Sequence, residues 1–153
     1  MNGNSTFKEL FQKDYEMGKI NEQRVVKFLN ENNTEDKYYL ETNRFALMDF
    51  KMYGNSNYLG ELKSRNASHS DYPTALIGRN KIEEAQNDWD SGNRKKTYRF
   101  WYLYQDGLFH WDFNPNQYTN GVWHRYRRGK HESNNVCEIE HKFLTLFTSE
   151  ITS

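Results

Sequence analysis

The chain has 153 residues, 35% of them hydrophobic and 16% aromatic, which suits one domain with a single aromatic-rich core and excludes a disordered polar chain. Its 21 basic and 21 acidic residues cancel, so a uniformly basic nucleic-acid binder is excluded and any such surface must come from local segregation of charge. Cys137 is the single cysteine, which excludes an intramolecular disulfide and a metal site built of several thiolates and fits a reducing compartment.

The opening MNGNSTFKEL carries no apolar run of a signal peptide, and no segment approaches a membrane span. A cytoplasmic protein with no membrane partner is expected. The abundance of Asn and Lys suggests an AT-rich genome such as a phage's, in which case the compartment is the host cytoplasm.

From Ser5, a candidate N-cap, FKELFQKDYEMGKINEQRVVKFLNENN reads as helix, with a break or kink expected at Gly18. Val25, Val26, Phe28 and Leu29 give it an apolar stripe, and Glu22, three and four residues before the two valines, falls on the same inward face. Strands follow at 37–42, at 44–53 and within 58–66, the last two joined by the Gly- and Asn-rich turn 54–57 of a hairpin. Asp49 is an acid within the apolar middle strand. Residues 64–78 read as a polar loop, and 79–92 as a helix with Ile82, Ala85 and Trp89 on one face and Gly92 as its C-cap. Strands at 97–105 and 108–113 flank the turn Asp106-Gly107. Beyond them, 122–131 forms a basic aromatic segment and 136–147 a strand or short helix.

Glu61 and Lys63 are two apart in YLGELKSRN, so a strand places both on one face. The hairpin brings Asp49 to the adjacent strand, and the helix carrying Glu22 can lie on the same face. Three carboxylates converging in a partly apolar pocket repel one another unless a cation intervenes. Hard oxygen donors without a His or Cys cluster favour Mg2+ or Mn2+. Such an ion acidifies a bound water and steadies a leaving oxygen, and Lys63 beside it orients the nucleophile or stabilises the developing phosphoryl charge. The chemistry expected is phosphodiester hydrolysis.

The pattern Asp49-x11-Glu61-Leu62-Lys63 resembles the PD-(D/E)XK nuclease superfamily. The resemblance covers about residues 15–105, where helix, three strands, helix and strand follow the order of that superfamily's core, and Glu22 matches the acid its members place on the first helix. Met48 stands where many members have proline, and Asp90 where the exonuclease-like branch, whose helical Gln matches Gln86, has tyrosine. The resemblance implies an α/β fold with a restriction-endonuclease-like core, a mixed central sheet flanked by helices in the order α-β-β-β-α-β. Residues 1–153 then form one nuclease domain, with 106–153 as a β-rich C-terminal extension. It further implies a metal-dependent DNA endonuclease with Asp49, Glu61, Glu22 and the Leu62 carbonyl around Mg2+ or Mn2+, with Lys63 positioning the water. No organic cofactor is implied. A homodimer or higher homo-oligomer is expected, because one metal centre addresses one strand of a duplex. Junction resolvases, restriction or homing endonucleases and phage DNA-processing nucleases all fall within it.

DNA contacts are expected from Lys81 and Gln86 on the second helix, from Arg65 and Asn66 just past the site, and from Arg125, Arg127, Arg128 and Lys130. The last four are interleaved with Trp123, His124, Tyr126 and His131. A helix N-terminus near Lys81 itself favours phosphate. Two other functions suit parts of the same sequence: a nucleic-acid-binding module with a degenerate, non-catalytic site, and a protein-interaction domain using the aromatic C-terminal half. His69 reads as a loop histidine and Cys137 as a small buried residue.

Overall fold

The computed structural model describes residues 7–32, 37–40, 50–53, 58–92, 97–127 and 129–153. Along the chain run α1 (Phe7–Asn32), β1 (Lys37–Leu40), β2 (Phe50–Tyr53), β3 (Tyr58–Ser64), β4 (Thr74–Gly78) and α2 (Arg79–Asp90). After them come β5 (Thr97–Tyr104), β6 (Gly107–Asp112), β7 (Thr119–Arg127), β8 (Lys130–Glu140), a 3-10 turn (His141–Phe143) and β9 (Thr145–Thr148). The fold is mixed α/β. Six strands form a mixed sheet in the order β1-β2-β3-β5-β6-β9, and β4-β8-β7 form a second, antiparallel sheet. Within the larger sheet β3 and β5 run parallel while the other neighbours run antiparallel. The β3-to-β5 connection, through β4 and α2, is the long crossover that a parallel pair requires.

Period-two alternation in β5 divides the interior into two cores. Tyr98, Phe100, Tyr102 and Tyr104 point one way, where they meet Ile82 and Ala85 of α2 and Ala75, Ile77, Cys137 and Ile139 of the second sheet. Trp101 and Leu103 point the other way, where they meet Val25, Val26 and Leu29 of α1 together with Leu62 of β3. The large sheet is thus covered by α1 on one face and by α2 with the small sheet on the other. Both of its faces are apolar for that reason.

Several elements depart from what the sequence predicts. α1 runs through Gly18 without a break, and a side chain there would meet open space. Residues 74–78, inside the expected loop, form β4, because Ala75 and Ile77 alternate into the core and the strand pairs with β8. The basic segment is not one strand. It spans a hairpin in which β7 turns at Gly129 (φ +77°, the left-handed region that favours glycine) into β8. Residues 136–147 divide among the end of β8, the 3-10 turn and β9. The C-terminal third is built into both sheets: β6 and β9 widen the large one, and β7 and β8 complete the small one. At Gly107 β9 comes so close that a Cβ would lie 2.7 Å from the Thr148 carbonyl oxygen. Among the described residues no helix is long and apolar enough to cross a membrane.

Candidate functional site at the Glu61 carboxylate

The parallel register sets Glu61 beside Phe100 and Lys63 beside Tyr102, so both charged side chains share the face covered by α2. Leu62 and Ser64 alternate to the α1 face, where Leu62 is buried and the Ser64 hydroxyl accepts a hydrogen bond from Asn21 Nδ2 at 2.8 Å. Glu61 is 3% exposed, the one acidic side chain among the buried residues described. Its two oxygens are divided between two ammoniums. Lys63 Nζ lies 3.2 Å from Oε1, and Lys81 Nζ lies 3.3 Å from Oε2. Lys63 and Lys81 remain 34% and 18% exposed. Two ammoniums thus converge on one buried carboxylate, with the lysine side partly open to solvent.

The local sequence explains how Lys81 arrives there. β4 passes directly into α2 at Gly78, with no intervening loop. Lys81 therefore sits in the first helical turn, beside Arg79, and no acidic residue occupies that turn. The helix N-terminus adds its positive end to the lysines. Tyr102, next to Lys63, is fully buried and donates to the Leu76 carbonyl at 3.2 Å. Burial first, then the neighbouring Tyr104 and the Glu61 charge, pushes its phenol far above the ordinary range, so it stays protonated.

Glu22 takes a different position from the one expected of it. α1 covers the Leu62 face, opposite the one from which Glu61 projects. The polar residue that α1 buries against β3 is Asn21, braced by Arg24 Nη1 at 2.9 Å, while Glu22 is 13% exposed and pairs with Lys19 at 3.3 Å. The shift has a simple origin: Asn21, Val25 and Leu29 recur at four-residue steps, and Glu22 lies one residue further round the helix. Asp49 lies outside the described residues. Among those described, no group of three His, Cys, Asp or Glu side chains is placed to hold a metal ion.

Arg65 and Asn66 stand exposed just past β3. The Arg65 guanidinium donates to the Ser64 carbonyl, and the Asn66 side-chain oxygen accepts from Gln105 Nε2. Gln86 lies on α2 away from Glu61; it donates to Asp90 and accepts from the Tyr118 hydroxyl at 2.7 Å. Arg125, Arg127 and Lys130 lie on the β7–β8 hairpin, which sets Arg125 opposite Glu132 and Arg127 opposite Lys130 in backbone register; Arg128 lies outside the described residues. In that hairpin the rings of His124 and His131 stack with centroids 5.3 Å apart. Cys137 is fully buried beside Asn120, and burial pushes its thiol above the ordinary range. His69 pairs through Nδ1 with Asp106 at 2.5 Å and stacks on Phe109.

A cleft of about 860 Å3 opens beside Lys63 and runs along β4 to β8 and to Trp123 of β7. It went unread in the sequence because it depends on the pairing of β4 with β8. Its signal, the aromatic Tyr72 before Pro73 and the pair Asn134-Asn135, is visible only once that pairing is known. Compared with family models, curated proteins and solved structures, the chain matches none.

Proposed function

We propose that the protein is a metal-dependent DNA phosphodiesterase, an endonuclease with a restriction-endonuclease-like core, whose site is centred on Glu61, Lys63 and Lys81. One observation carries this reading: lysines from two different elements converge on one buried carboxylate at the parallel β3–β5 pair. A structural ion pair needs one cation. A second lysine on the same carboxylate is more than such a pair requires, and an ammonium at a helix N-terminus suits a phosphate oxygen.

The order α1, three strands, α2 and β5, with β3 and β5 parallel, is compatible with such a core, β4 being an addition within it. Glu61 is the carboxylate at this centre among the described residues, and both its oxygens face lysines, so a hard cation would need Asp49 as a further oxygen donor. Asp49 directly precedes Phe50, which pairs with Gly60, the neighbour of Glu61. Asp49 and the Leu62 carbonyl are its further candidate donors; Glu22, on the helix that covers the other face and paired with Lys19, is not among them. When bound, Mg2+ or Mn2+ supplies charge neutralisation and an acidified water. Glu61 would be the residue that holds the ion and aims both ammoniums. Lys63 then orients the attacking water, and Lys81, at the helix N-terminus, holds a non-bridging phosphate oxygen. A homodimer would bring two such centres to two strands.

Cleavage of linear, branched, single-stranded and supercoiled DNA in Mg2+ and in Mn2+ tests the reading. The wild type is expected to cut at least one of them, and Asp49→Ala and Lys63→Ala to lose about 10²-fold or more in rate. If wild type and both variants bind DNA equally and none cuts, the protein is a binding module and the proposal is wrong.

A further inference from the structure

We infer that the cleft beside Lys63 receives unpaired nucleotides, so that the strand to be cut is held with its bases splayed out rather than stacked in a duplex. The inference rests on the phosphodiesterase reading only for where the scissile phosphate lies, at Lys63 and Lys81.

The cleft begins at that point. Lys63 and Arg65 form one end, and from there it passes Tyr72 and the floor of β4 to Asn134 and Asn135 of β8 and to Trp123. Its volume, about 860 Å3, belongs to the size class of small-ligand sites and holds a few bases, not a double helix. Tyr72 is 65% exposed and Trp123 37% exposed, although an aromatic side chain ordinarily hides most of its area. Two open aromatic rings on one cleft are what a π-face stacks on, and every base has such a face whereas a duplex buries it.

The lining also carries planar polar groups beside the apolar residues of β4. Asn80, Asn134 and Asn135 are exposed on the same cleft, and their amides offer paired donors and acceptors to base edges. Lys63 and Arg65 bring two cations to the lining, and its one acid, Glu138, stands opposite Leu76 in register. Cations for a backbone thus share one cleft with aromatics and amides for bases. A protein partner would call for an apolar centre with a polar rim. Here the apolar floor residues Ala75 and Ile77 are already buried in the core, at 4% and 1% exposure.

Binding without catalysis provides the test. In EDTA, fluorescence anisotropy is measured for a short labelled DNA strand, the same sequence as RNA, and the corresponding duplex, with the full chain and with Tyr72→Ala, Trp123→Ala and Tyr72→Phe. The single strand is expected to bind at least about tenfold tighter than the duplex. Each alanine variant is expected to lose about tenfold on the single strand alone, and Tyr72→Phe to behave as wild type. Equal affinity for RNA and DNA strands upholds the inference too, since stacking ignores the 2′-hydroxyl. Duplex binding as tight as single-strand binding, no effect of Tyr72→Ala, or no binding of any strand overturns it. Cleavage of the same oligonucleotides in Mg2+ and Mn2+ separates the two proposals. A strand bound through Tyr72 but never cut keeps the cleft and removes the nuclease, and a duplex cut at the wild-type rate by both alanine variants does the reverse.

Discussion

Two ion clusters flank β5, and they are built on opposite principles. In one, Arg99 of β5 and Asp112 of β6 stand directly opposite in register and meet fork to fork, Nε to Oδ1 at 2.6 Å and Nη2 to Oδ2 at 3.0 Å. His110 Nδ1 stands 3.4 Å from the same carboxylate. Charges there are matched and the geometry is rigid. In the other, Glu61 is almost wholly buried, and two flexible lysines each touch one of its oxygens. A matched bidentate pair has nothing left to offer a ligand. The two lysines instead reach their carboxylate on flexible side chains that can turn outward without unfolding anything.

The widest separation between the clusters is expected in rate. Glu61→Gln keeps the shape of the side chain and removes the charge that aims both lysines, and cleavage should fall by about 10²–10³-fold. Lys81→Met should cost about tenfold or more, whereas Asp112→Asn should cut DNA as the wild type does. Steady-state cleavage of one substrate by all three variants decides this. Comparable losses for Asp112→Asn and Glu61→Gln would erase the distinction drawn here and point to general destabilisation.

Stability should separate the clusters in the reverse sense. Asp112→Ala strands the Arg99 guanidinium, 15% exposed, without its acceptor, at a cost of about 1–3 kcal/mol. Lys81→Met leaves Glu61 still paired with Lys63 and retains the aliphatic packing, so its cost should stay below about 1 kcal/mol. Urea denaturation midpoints with unchanged slopes measure both. A larger loss for Lys81→Met would mean that the Glu61 cluster is structural after all.

How far these clusters can be read from sequence depends on the range of the contacts that make them. Glu61 and Lys63 are legible as a same-face pair because a strand's period of two needs no tertiary knowledge. The Arg99–Asp112 pair was missed by the expected turn: counting outward from Asp106-Gly107 sets Arg99 opposite Asn114, whereas the hairpin turns at Gln105-Asp106, pairs Tyr104 with Gly107 and so sets Arg99 opposite Asp112. Lys81 is visible as a cation in a helix's first turn, but its approach to Glu61 depends on β4 entering α2 without a loop. The face taken by α1 was misjudged by a single residue, Glu22 for Asn21, since one residue on a helix is a rotation of about 100°. β4 and the small sheet were invisible, because TALIG is short, follows a polar run, and becomes a strand only through pairing with β8 far along the chain.

The smallest effect, and the cleanest, is a pH dependence confined to the matched pair. Burial pushes the Asp112 carboxyl up, but hydrogen bonds from His110 and Arg99 and the guanidinium charge outweigh it and hold the group at about 2, against 3.8 unperturbed. Because the folded value is depressed, the unfolded chain takes up the proton first as pH falls. The contribution is therefore complete above about 3.8 and is lost as the pH falls through about 2. Asp112 is 40% exposed, and solvent screening reduces the nominal linkage to about 1 kcal/mol. Asp106, which burial raises but its hydrogen bonds with His69 and its own backbone N–H bring below the ordinary range, loses stability in the same direction, so wild type alone cannot isolate either group. The stability difference between wild type and Asp112→Asn can. It should be constant from neutral pH to about 4 and shrink towards zero near pH 2, as Asp112 itself becomes uncharged. A difference that persists unchanged at pH 2 would show that the carboxylate's charge contributes nothing, and that the Arg99 fork is held by hydrogen-bond geometry alone.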